Sequence, residues 1–169
     1  AAEPGVATAA GPQPQLAQEA AVVAGDHPGS GRGGDGLQPG RDAGAGQRAK
    51  ARGIDARWVA ADMSQPAEVE RVATEALQRL GDIDILVNNA GATWGAPMES
   101  YPLEAWDKVM NLNVRSLFLF AQAVGKASML PNKHGRIINI ASIAGLAGSL
   151  DMQFIAYGTS KGAVVNFTR

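Results

Sequence analysis

Tyr157 and Lys161 stand four residues apart, followed by the apolar stretch Ala163-Val164-Val165. On a helix that spacing puts both side chains on one face, so the lysine ammonium can sit beside the phenol. A free tyrosine ionises near pH ~10 and is a poor acid or base at neutral pH. A neighbouring positive charge favours the phenolate and brings ionisation toward the working range. The chemistry this pair could do is proton transfer at an alcohol or carbonyl oxygen. A lone Y-x-x-x-K is more often a helix face with a solvated lysine, so the pair gains weight only from its company.

That company is ordered along the chain. Ser142 directly follows the apolar run Arg136–Ala141, at a strand's carboxyl end, where open α/β sheets place their ligands. A hydroxyl there could polarise a substrate carbonyl, or it could simply cap a turn. Asn113 lies inside a long apolar helix, where an amide needs partners; a structural hydrogen bond and a catalytic role are both open. Asn88-Asn89-Ala90-Gly91 ends another apolar strand with residues small enough for backbone to approach a flat ligand, or to make an ordinary turn. Asp62 ends a third strand; it could accept a hydrogen bond from an adenine amino group or cap the next helix.

The elements that must position these residues are legible from about Ala51 onward. Ile54–Ala61 reads as a strand, and Ser64 can cap a helix carrying Pro66 in its first turn. Val69, Val72, Ala73, Ala76, Leu77 and Leu80 then recur at helical spacing, up to Gly81. Ile83–Val87 is a second strand. A long helix runs from about Leu103 to Met129; its Leu117–Ala121 centre is apolar all round, which calls for cover on more than one face. Arg136–Ala141 is a third strand, and a last helix begins near Tyr157. Strands alternating with helices predict an α/β protein with a Rossmann-type, doubly wound parallel sheet.

Taken in order, Asp62-Met63, Asn88–Gly91, Asn113, Ser142 and Tyr157-Gly-Thr-Ser-Lys161 resemble the short-chain dehydrogenase/reductase family, over residues 51–169. The resemblance implies an oxidoreductase that uses NAD or NADP to interconvert a small-molecule secondary alcohol and a ketone. It implies Asn113, Ser142, Tyr157 and Lys161 as catalytic. Tyr157 would exchange the proton, and Lys161 would assist it and hold the nicotinamide ribose. Ser142 would orient the carbonyl, and Asn113 would help hold a water relay to Lys161. Asp62 and Met63 would meet the adenine, while Asn89, Ala90 and Gly91 would line the adenosine side, with Tyr157 and Lys161 also touching cofactor. Within the family, NNAGATWGAP and MQFIAYGTSKGAVVNFTR are similar to sugar-acid dehydrogenases of the gluconate 5-dehydrogenase kind. Homo-oligomers are expected for the intact protein.

The first 50 residues do not fit that pattern. Residues 1–53 hold 12 of the 21 glycines, and residues 1–50 contain only Val6, Leu16, Val22, Val23 and Leu37 as branched aliphatics. Such a segment buries too little to offset its ordering entropy, so residues 1–50 are expected to be disordered or aberrant. Gly25–Gly31 has the G-x-x-x-G-x-G spacing of a phosphate loop and Gly29–Gly34 that of G-x-G-x-x-G, yet no apolar helix follows either. In the family's 3-2-1-4-5 strand order, two strands belong between Ile54–Ala61 and Ile83–Val87. The sheet is therefore expected to be incomplete and the chain a partial one.

Composition narrows the remaining classes. The net charge of -1 gives no electrostatic case for nucleic acid, and no apolar run approaches a membrane span. There is no cysteine, and His27 and His134 lack ligand-like partners, so no metal site is expected. The absence of a signal-like N-terminus makes the cytoplasm the expected location. Two other readings compete: a non-catalytic fragment that binds partner subunits, and an epimerase or dehydratase using the same tyrosine and lysine.

Overall fold

The computed structural model describes residues 22–25, 51, 57–148 and 153–169. The glycine-rich spacings after Gly25 and the first part of the Ile54–Ala61 strand lie outside them. Two parallel ladders form. In the first, β1 (Val22–Gly25) pairs with β2 (Trp58–Ala61); in the second, β3 (Ile85–Asn88) pairs with β4 (Arg136–Asn139). Among the described residues no ladder joins β2 to β3, so the two strands that the family order separates are indeed apart. The result is a Rossmann-type α/β fold with an incomplete sheet.

Helix α1 (Pro66–Leu80) follows β2 and buries Val69, Val72, Ala73 and Ala76, the face its spacing predicts. One detail differs. Gln65, not Ser64, is the N-cap, because the Ser64 N–H and hydroxyl are both committed to the Asp62 carboxylate, at 3.0 and 2.7 Å. That Asx turn leaves Pro66 at the first helical position, where a missing N–H costs nothing.

The long helix is continuous but not uniformly α. It runs as α2 (Leu103–Met110), a π-helical turn (Asn111–Arg115), α3 (Ser116–Val124), a second π-helical turn (Gly125–Met129) and α4 (Leu130–Asn132). The polar residues explain both turns. Asn113 turns inward in the first, and Ser116 bonds back to the Leu112 carbonyl at 2.5 Å. In the second, Ser128 receives the Ile83 N–H at 2.7 Å and so ties the helix to the entry of β3. Phe120, Ala121 and Val124 are buried against α1 and β3, Leu117 is buried too, and Phe118 is 45% exposed. The helix ends at Lys133, whose φ of 52° is left-handed.

The last helix, α5 (Ile155–Phe167), begins two residues before Tyr157. It packs on α2, on the Asn111–Arg115 turn and on a short 3₁₀ turn (Ile143–Gly145) that follows β4. Among the described residues β4 has a strand neighbour on one side only, and Ile137 and Ile138 both remain more than a third exposed. Among the described residues no helix is long and apolar enough to cross a membrane.

Candidate active site

The site is assembled where β3, β4, α5 and the Asn113 turn converge. Asn113 is almost fully buried and commits its amide to both neighbours. Its Oδ1 accepts the Ala92 N–H at 2.7 Å; its Nδ2 donates to the Ala92 carbonyl at 2.9 Å and to Ser160 Oγ at 2.8 Å. Ser160, also buried, passes its own proton to the Tyr157 carbonyl at 2.7 Å. One amide thus pins the turn after β3 to the helix that carries Tyr157 and Lys161. Both readings of Asn113 keep this contact, since a buried amide must be satisfied.

Lys161 is buried to 5% exposure, and its ammonium donates to the Ile140 carbonyl at 2.6 Å. Burial holds its pKa below the ordinary lysine range, since desolvation disfavours the charged form. Its Nζ lies 5.7 Å from the centroid of the Tyr157 ring. The two residues that the sequence pairs are therefore neighbours in space, with the lysine fixed from behind by the residue that follows β4.

Ser142 follows β4 and starts the 3₁₀ turn, where its Oγ accepts the Ala144 N–H at 3.2 Å. It is a turn-capping serine, and its hydroxyl hydrogen is still available to a carbonyl. Gly145 places that turn. A Cβ on Gly145 would stand 2.4 Å from the Lys161 carbonyl carbon and 2.6 Å from the Gly162 nitrogen, so the turn lies directly on the backbone of α5. Across the two strand ends, Asn88 Nδ2 donates to Asn139 Oδ1 at 2.9 Å, and Asn139 Nδ2 reaches Thr168 Oγ1 at 3.1 Å.

Gly91 faces the same space. A Cβ there would lie 3.3 Å from Asn113 Oδ1 and 3.6 Å from Lys161 Nζ, so glycine keeps open a cradle beside the ammonium. Asn89 and Ala90 sit half-buried in the same turn. Thr93, two residues on, has a buried hydroxyl without a partner among the described residues. This donor set suits the ribose end of a nicotinamide dinucleotide: a cation, a glycine opening and small polar residues. Asp62 and Met63 follow β2. Asp62 is exposed, whereas the Met63 side chain is in the core.

Sequence reasoning passed over Gly145, Ser160 and the Ile140 carbonyl. Ser160 was adjacent to Lys161 and small enough to signal close packing. The carbonyl carries no sequence signal, because every residue has one.

Comparison with known proteins agrees with this geometry. The profile of the family described as short chain dehydrogenase matches residues 38–169. A 3-oxoacyl-[acyl-carrier-protein] reductase of rhamnolipid biosynthesis from Pseudomonas aeruginosa is 41% identical over 118 residues, covering 68% of this chain and 46% of that one. An NAD+-bound xylitol dehydrogenase superposes with a TM-score of 0.68 at 34% identity, over 75% of this chain and 48% of the other. A gluconate 5-dehydrogenase from Burkholderia cenocepacia, in complex with NADP and tartrate, gives a TM-score of 0.66 at 34% identity with the same coverages. The chain spans about half the length of these relatives. With a family match over most of its length, the chain belongs to the short-chain dehydrogenases, whose relatives use NAD or NADP.

Proposed function

We propose that the intact protein is an NAD- or NADP-dependent oxidoreductase interconverting a secondary alcohol and a ketone. The observation that carries this reading is the buried Lys161 ammonium, anchored on Ile140 and set 5.7 Å from the Tyr157 ring beside the opening at Gly91. Tyr157 holds the proton that passes to or from the alcohol oxygen. Lys161 supplies positive charge to that exchange, and Ser142 donates its hydroxyl hydrogen to the carbonyl. Asn113 fixes the turn and helix on either side, and we assign its oxygen's second lone pair to a water relay toward Lys161. Asp62, Met63, Asn89, Ala90, Gly91, Tyr157 and Lys161 would hold the dinucleotide, which when bound supplies or takes up the hydride.

The substrate is a small ketone or its alcohol. The gluconate 5-dehydrogenase likeness makes a sugar acid such as gluconate the first to try, and the 3-oxoacyl reductase likeness makes a β-ketoacyl thioester the second. We place the activity in the cytoplasm. A homo-oligomer is favoured by Phe118 of α3 and Phe167 of α5, which meet edge-to-face at 6.4 Å while each stays 45% exposed. The same exposed pair supports the second reading, a non-catalytic subunit-binding fragment. Purified chain should bind NADH or NADPH and oxidise or reduce one of these substrates, and Tyr157→Phe should abolish turnover while sparing cofactor binding. Binding of neither cofactor, with self-association intact, would favour the fragment.

A further inference from the structure

Ser160 is completely buried in α5 and stands between Tyr157 and Lys161 in the chain. Its oxygen accepts from Asn113 Nδ2 at 2.8 Å, and its hydroxyl donates to the Tyr157 carbonyl at 2.7 Å. The direction of these bonds is forced. The Ala92 N–H requires the Asn113 oxygen, and the Ala92 carbonyl requires the Asn113 nitrogen. The second hydrogen on that nitrogen goes to Ser160, whose oxygen must accept it and whose own hydrogen then turns to Tyr157. One run of directed bonds thus leads from the turn after β3 to the backbone of Tyr157.

Little else fixes the rotation of α5 about its own axis. Toward the 3₁₀ turn (Ile143–Gly145) the helix presents Gly158 and Gly162. A Cβ on Gly158 would lie 3.1 Å from the Ala144 carbonyl oxygen, and one on Gly162 3.4 Å from that of Gly145. Apart from Ser160 and Lys161, the buried residues of the helix are Ala156 and Val164. Small side chains interlock weakly, whereas a satisfied buried polar group accepts few arrangements. Two other links, from the Ala96 N–H to the Gln153 carbonyl and from Asn139 to Thr168, lie at the ends of α5. Within the Tyr157–Lys161 turn the anchors are adjacent residues, which point about 100° apart on a helix. Ser160 is held by Asn113 and Lys161 by the Ile140 carbonyl, so the turn is gripped from two directions.

We propose that Ser160 is a positioning residue, which together with Lys161 sets the rotation of α5 and so the direction in which Tyr157 presents its hydroxyl. This rests on the reading of Tyr157 as the proton-exchanging group. Ser160→Ala removes the oxygen alone and leaves the Lys161 anchor in place. In turnover, kcat should fall about tenfold with the cofactor KM nearly unchanged. The chain contains two tyrosines, so NMR of the rings carries its own reference. The Tyr157 ring signals should move in the variant while those of Tyr101 stay.

A lower Tm with kcat and the Tyr157 signals both unmoved would make Ser160 a packing residue only and overturn the proposal, as would equal movement of both tyrosines. Should the variant not fold, the wild-type chain decides. The Asn113 side-chain amide hydrogens should exchange with solvent about a hundredfold more slowly than those of the exposed Asn132, and equal rates sink the idea. If the wild type shows no turnover with any ketone, the enzymatic reading fails on its own, while the ring signals and amide exchange still judge the anchor.

Discussion

The two ladders of this fold are alike in size and direction and differ in how they are held. Around β3–β4, buried polar groups cross between elements: Asn113 to Ala92 and Ser160, Ser128 to Ile83, Lys161 to Ile140, Asn88 to Asn139. Around β2 the polar contacts are exposed, Asp62 to Ser64 within one turn and Arg57 to the Arg79 carbonyl near the end of α1, and the packing is an aliphatic helix face. Apolar burial joins elements without choosing one arrangement closely, whereas a buried amide or ammonium is satisfied in few geometries. The end of the site that we propose for proton transfer is thus built rigidly, and the proposed adenine end rests on turn geometry.

Two pairs of changes and one single change would break that contrast or sharpen it. Asn113→Ala strands the Ala92 backbone groups and Ser160, and should cost about 3 kcal/mol. Asp62→Ala should cost under about 1 kcal/mol. Urea denaturation midpoints compare the two, and equal losses would erase the distinction between the regions. Gly145→Ala forces a methyl against the α5 backbone and should cost about 1–3 kcal/mol. Gly148, with open space around it, should accept alanine with no measurable change in Tm. Thr93→Val exchanges an unpartnered buried hydroxyl for a methyl group and should leave stability unchanged or raise it by about 1 kcal/mol. If it instead weakens NADH binding, the hydroxyl is a ligand contact.

Lys161 adds a pH dependence. Its folded pKa lies below the unfolded one, because burial disfavours the charge. Between those two values the unfolded chain binds more protons, so stability rises with pH across that window and is lost as pH falls through the folded pKa. Lys161→Met should flatten this rise. A wild-type stability profile that falls with pH over the same alkaline range would contradict the burial argument.

Much of this could be read from residues alone. The α1 face, the β3 and β4 strands and the tyrosine–lysine neighbourhood follow from periodicity and spacing, which are local properties. The Gln65 cap and the π-helical turns were hidden because each is decided by a partner distant in sequence or by competition for one. Ser64 has the right side chain for a cap, and Asp62 takes it first. Asn113 was legible as an amide out of place in an apolar helix, while its partners, Ala92 and Ser160, were not. In the first 50 residues β1 shows that Val22 and Val23 suffice for a short strand once β2 offers a parallel edge.

The central claim is that Tyr157, placed by Lys161 and Asn113, exchanges the proton. Its most direct test is NADPH-dependent ketone reduction by the wild-type chain beside Tyr157→Phe, with cofactor affinity measured for both. The account predicts a loss in kcat on the order of a hundredfold or more at nearly unchanged affinity. Equal rates in the two proteins would contradict it.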